Sequence, residues 1–237
     1  MAYRPDKDLD FLKEVPSKEL SVLVDILISK GSISESLTKT DGYRDNYPEH
    51  TKYWQDIASE IQLFGGNTFS NFFRGKKGVK YKEIIAHTCK ILKVKLEKGN
   101  SVEEMEMKLI IKILSDSTQK MTEEELENLS KEFGIKDVLK SSITPIALQT
   151  AIKSSGFLAY KVSLIVANAI TKQILGKGLT LAANQTLTKS ISVFAGPVGW
   201  VFSGIWTLYD ITGPASRVLI PAVIQIAFLR QQLKQES

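Results

Sequence analysis

Cysteine and histidine, which carry much of nucleophilic and metal chemistry, are almost missing: Cys89, His50 and His87 are the full set in 237 residues. One cysteine excludes an internal disulfide framework and makes a reducing, cytoplasmic setting the expectation. No CxxC or HExxH spacing occurs, so neither structural nor catalytic zinc is expected. His87 and Cys89 stand two apart in a predicted helix, about 200° around its axis, and so cannot share a ligand or pair as nucleophile and base. Cys89 reads as a small core residue and His50 as a solvated residue of a first helical turn. Asp6, Asp8 and Asp10 imitate the start of a calcium loop, but Phe11 stands where that loop needs glycine and Ser17 where it needs a carboxylate. A GxxxxGK[ST] phosphate loop is also missing. The expectation is a protein with no catalytic residue, no metal and no cofactor. The first thirty residues are interrupted by Arg4, Asp6, Lys7, Asp8, Asp10, Lys13 and Glu14, which leaves no apolar core for a signal peptide.

Strand alternation is scarce too, and helical spacing takes its place. Asp8 to Val15 reads as a short helix, and Leu20, Leu23, Val24 and Leu27 share one face before Gly31 supplies a stop. Ser32 with Glu35, Ser101 with Glu104 and Thr122 with Glu125 are spaced as capping boxes. Asp41 and Asp45 read as turn residues of a polar loop. Pro48 opens a helix with Trp54, Ile57, Ala58 and Ile61 on one face, predicted to end at Gly65-Gly66. Further faces are Tyr81, Ile84, Ile85, Thr88 and Leu92, then Met105, Leu109 and Ile113, then Leu126, Leu129 and Phe133. Thr144-Pro145 starts a helix leading to Gly156, Phe157 to Leu175 is one helix stopped by Gly176, and Leu179 to about Ser190 is another. Gly196-Pro197 breaks the chain and Gly213-Pro214 breaks it again. A last helix runs from Pro214 to Lys234, with a kink predicted at Pro221. The fold class is all-α, with a neutral helical region over 1–140 and an apolar, basic one over 141–237, either divided within 134–144 or forming one domain.

Charge and apolarity are unevenly shared. Residues 141–237 hold eight cations against two acids, a net charge of +6, and about half of them are hydrophobic; residues 1–140 net −1. Their coincidence points to a cationic, amphipathic surface for a membrane or apolar partner, and less to nucleic acid, which needs no apolar excess. A buried helical core that uses lysine as its polar residue is the alternative. Ser190 to Tyr209 is twenty residues without a charge, long enough to cross a bilayer. Its strongly apolar residues supply about −2.5 to −5 kcal/mol of insertion energy, against about 3 kcal/mol for the interior proline. The balance is near zero and fits conditional insertion at an inner membrane as well as a soluble core. Ala195, Gly199, Ser203 and Thr207 form a small-residue stripe that lets a second helix approach, within the chain or from another copy.

Arg74, Lys76, Lys77, Lys80 and Lys82 place five cations and no acid in nine residues, with Gly75 and Gly78 between them and Phe69, Phe72 and Phe73 before them. Cations on a glycine-rich backbone suit the phosphate of lipid headgroups or RNA. A solvated interhelical loop gives the same pattern.

Three stretches together resemble the bacterial YaaW-like family of uncharacterised proteins: Asp8-Leu-Asp-Phe-Leu12; Trp54 with Ile57-Ala58, Glu60, Gln62 and Phe64-Gly-Gly-Asn67; and Arg74-Gly75. Gly196-Pro-Val-Gly199 and the run from Gly213 through Ala227 to Leu229-Arg230 are similar to that family's C-terminal signature. The resemblance implies a mostly helical bacterial protein with a short N-terminal motif and, through the middle of the chain, a likeness to the ubiquinol-cytochrome c chaperone, an assembly factor at a membrane. It supplies no catalytic residue. The leading expectation is non-enzymatic association with an anionic membrane surface or a membrane-protein client through 141–237. The alternatives are a soluble interaction or assembly-chaperone module, and RNA binding by 74–82.

Overall fold

A computed structural model describes residues 3–29, 36–68, 78–119, 121–133, 145–179 and 214–236. Among them the chain is helical and holds no strand. The helices are α1 (Ser17–Leu27), α2 (Asp41–Asn46), α3 (Trp54–Thr68), α4 (Tyr81–Ile91), α5 (Val102–Thr118), α6 (Glu123–Phe133), α7 (Pro145–Ser154), α8 (Gly156–Leu175) and α9 (Pro214–Glu236). Local chemistry sets several boundaries. The Ser101 hydroxyl accepts from the Glu104 amide at 3.2 Å while the Glu104 carboxylate accepts from the Ser101 amide at 2.8 Å, which satisfies two orphan donors of α5. Thr122 and Glu125 repeat this exchange at α6, at 2.7 and 3.2 Å. Gly176 stops α8 in a left-handed conformation, with φ at 69°. Ser32 and Glu35, residues 134–144 and the helix expected from Leu179 to Ser190 beyond its first residue lie outside the described residues.

Several local expectations are corrected. Asp10–Glu14 forms a 3-10 helix in place of a longer helix from Asp8. Asp41 and Asp45 belong to α2, because Thr40 caps its start with a hydroxyl that accepts from the Tyr43 amide. A short 3-10 helix over His50–Tyr53 separates Pro48 from α3. At its far end α3 continues through Gly65 and Gly66 to Thr68. Gly65 is there for space: a Cβ on it would lie 2.6 and 2.7 Å from Cγ1 and Cδ1 of Ile84, so the Ile84 side chain of α4 packs directly on the α3 backbone.

The core is one cluster to which α1, α3, α4, α5, α6, α8 and α9 all contribute. At its centre lies α9, packed on α8, α1, α3 and α5. Every residue from Val218 to Arg230 is buried, an all-round burial that a one-sided amphipathic stripe would not produce. Pro221 sits inside α9 and donates nothing to the carbonyl one turn back. In α8 the residues from Ala159 to Ala167, apart from the half-buried Tyr160, are likewise buried. No described helix is long and apolar enough to cross a membrane.

Candidate functional site

Glu106 lies on the inward side of α5 and Arg230 near the end of the buried stretch of α9, so packing forces two charges into the core. They meet there: Nε of Arg230 donates to Glu106 at 2.9 Å, and Tyr81 of α4 donates its hydroxyl to the same carboxylate at 2.8 Å. A second guanidinium nitrogen reaches the Asp8 carbonyl at 2.6 Å. The Phe11 ring lies 4.2 Å from the guanidinium carbon, so one face of the cation rests on an aromatic. Burial pushes the Glu106 carboxyl above its usual range, while Arg230 and the Tyr81 hydroxyl pull it back. Burial also works against the Arg230 charge, but the adjacent carboxylate holds its guanidinium above the ordinary value.

A second polar group continues this junction toward the N-terminus. The buried Asp6 carboxylate accepts from the Tyr81 amide at 2.7 Å and so supports the start of α4, where a negative charge complements the helix dipole. Gln62 exchanges hydrogen bonds with the backbone of Arg4 at 2.8 and 3.1 Å, and the Arg4 side chain donates to the Gly78 carbonyl at 3.1 Å. Gly78 must be small, because its Cβ would lie 2.6 Å from that of Gln62. Together these hydrogen bonds fasten five segments to one another: the N-terminal stretch, α3, the start of α4, α5 and α9.

The other candidates are spread out. Lys80 and Lys82 are exposed at the start of α4; Arg74, Lys76 and Lys77 lie outside the described residues. So do Ala195, Gly199, Ser203, Thr207, Gly196 and Pro197. Pro214 is the first residue of α9. Among the described residues no group of three or more His, Cys, Asp or Glu side chains is placed to hold a metal ion. Cys89 is buried, which pushes its thiol up to about 12. His50, expected in solvent, is buried instead: its Nδ1 shares a hydrogen bond with the Tyr53 hydroxyl, and its ring stacks edge-on against Tyr47 and Tyr53. Burial lowers its pKa, with Asp25 and Glu49 opposing. Sequence reading missed Glu106 and Arg230 as a pair. The available signal was an acid beside Met105 on the inward face of α5 and a cation closing an apolar run.

Large apolar side chains break the surface at three described positions, Tyr47 at 59%, Ile146 at 75% and Phe157 at 47% exposure. Ile146 and Phe157 belong to consecutive helices, α7 and α8, joined at Ser155.

Comparison with known proteins gives a consistent family. A UPF0174 protein of Helicobacter pylori is 41% identical over the whole chain and 96% of the relative. Another from Helicobacter pylori is 34% identical over 86% of the chain and the full length of the relative. The UPF0174 protein YaaW of Escherichia coli is 30% identical over 98% of the chain and 96% of the relative. The family model described as ubiquinol-cytochrome C chaperone matches residues 49–223, which carries the likeness beyond the middle of the chain into α9. A domain of unknown function (DUF3944) matches residues 3–32. No solved structure matches.

Proposed function

We propose that this protein, which belongs to the UPF0174 family and over residues 49–223 to that of the ubiquinol-cytochrome C chaperone, is a non-enzymatic, chaperone-like protein that holds a membrane-protein client before assembly. The observation that carries this reading is the burial of α9. Thirteen consecutive residues, Val218 to Arg230, are covered by the protein's own helices, so this stretch of C-terminal apolarity builds a core. A client then meets what remains outside, and Ile146 of α7 and Phe157 of α8 are the exposed apolar anchors that suit it. The fastened junction of Arg230, Glu106 and Tyr81 fits a rigid holder and offers no site for chemistry on a substrate.

A membrane-protein client diluted out of detergent tests this reading by light scattering. The protein should delay client aggregation at near-equimolar ratios without nucleotide, and Ile146→Asp with Phe157→Asp should abolish the delay while leaving thermal stability near wild type. No delay by the wild-type protein, or equal delay by the double variant, would contradict it. A second reading is attachment to an anionic membrane surface through 141–237, favoured by the net charge of +6 there and by the uncharged run Ser190 to Tyr209. It expects salt-sensitive sedimentation with anionic vesicles in the absence of any client.

A further inference from the structure

We propose that a cavity of about 540 Å³ beside α5 binds a small amphipathic anion, a phosphate or carboxylate head carried on an apolar body. One wall is a stripe of α5 in which Glu104, Met107, Lys108, Ile111 and Lys112 recur at helical spacing, so cations alternate with apolar side chains along it. The facing rim is the segment that leaves α4, with Lys93 and Lys95, and Ile152 of α7 adds to the apolar lining. The volume falls in the range of small-molecule sites.

Charge sets the sign of the ligand. Four lysines and two glutamates line the cavity, a net charge of +2. Glu104 is committed to the capping box of α5 and also accepts from the Asn100 amide, while Glu97 pairs with Lys108 at 3.2 Å. Lys108 is thus matched by Glu97, and Lys112 pairs with Asp116 one turn on, so the positive charge that meets a ligand comes from the facing rim, where the Lys95 ammonium is exposed. A concave apolar wall concentrates that field on whatever enters.

Backbone conformation supplies an independent observation. Lys93 has φ of 54° and is the one non-glycine residue with positive φ among the described residues. It ends α4 in a turn closed by the Val94 amide on the Cys89 carbonyl at 2.8 Å, a position where glycine is the favoured residue. A lysine held there costs backbone free energy, and its side chain is placed on the cavity rim. The site uses neither Ile146 nor Phe157, so its test is separate from that of client holding.

Methyl NMR of the full chain, titrated with decyl phosphate, decanoate, decanol or inorganic phosphate below micelle-forming concentrations, provides the test. The Met107 methyl signal should move saturably with decyl phosphate or decanoate, and the stronger of the two identifies the head group. Decanol and inorganic phosphate should bind about tenfold more weakly or worse, since each lacks one half of the recognition. Lys93→Gly with Lys95→Gln should weaken the anions by about tenfold with thermal stability equal to or above wild type, and Ile152→Trp should block both anions. A Met107 signal that stays fixed, decanol binding as tightly as decyl phosphate, or a lysine double variant that binds as the wild type does would each overturn the proposal.

Discussion

Arg230 and Glu106 are worth more as a pair than either is alone. Replacing Arg230 with Met leaves a buried carboxylate facing Tyr81 with no cation, and losses of about 3–5 kcal/mol are expected from removing one partner of such a pair. Chemical denaturation should show that loss for Arg230→Met, and a smaller one for Glu106→Leu with Arg230→Met, because the double change leaves no orphan charge in the core. Equal losses would mean that the junction is not coupled. Protons act on another residue. The fold lowers the pKa of His50 below 6.5, chiefly by burial, so the neutral ring is favoured in the folded state. Its contribution is present above the ordinary pKa and is lost as pH falls through about 6.5 toward the lowered value. Melting temperature measured from pH 7.5 to 5 should fall, and His50→Gln should flatten that slope; an unchanged slope would assign it to other groups, His87 first, whose pKa burial also lowers. Cys89 was legible in the sequence as a core residue, and His50 was not. Its ring partner Tyr53 packs in turn on Tyr43 of α2, across a turn whose geometry no spacing rule supplies.

Helix boundaries were legible where their cause is local. Ser101 with Glu104, and Thr122 with Glu125, state their caps within four residues, and Gly176 marks the end of α8 by its own backbone freedom. Gly65 shows the opposite case. Its spacing suggested a stop, yet α3 continues because the reason for glycine lies on Ile84, nineteen positions away in α4. Gly65→Ala should therefore destabilise by about 1–3 kcal/mol through overpacking, although alanine is the better helix former. A gain in stability on denaturation would show that the two helices separate easily. Lys93→Gly should do the reverse and stabilise by about 1 kcal/mol, since it removes a side chain from a left-handed turn. Asp6, whose spacing with Asp8 and Asp10 only imitates a calcium loop, supports the start of α4 from seventy-five residues away, a relation that only the folded chain contains.

At the scale of the molecule, the sequence showed that residues 141–237 are rich in apolar residues, but not what covers them. In the structure α8 and, from the N-terminal half, α1, α3 and α5 enclose α9, and the stretches that carried the family resemblance, Asp8 with Phe11, Gln62, and Leu229-Arg230, gather around one junction. A core shared in this way makes the apolar C-terminal helices the scaffold of the client-holding surface proposed above. Hydrogen exchange of Val218 to Arg230, followed by mass spectrometry with and without anionic vesicles, tests that claim most directly. The account predicts that this stretch is among the slowest-exchanging in the protein and that vesicles leave its protection unchanged. Rapid exchange of α9 in buffer, with protection gained only when anionic vesicles are added, would contradict it.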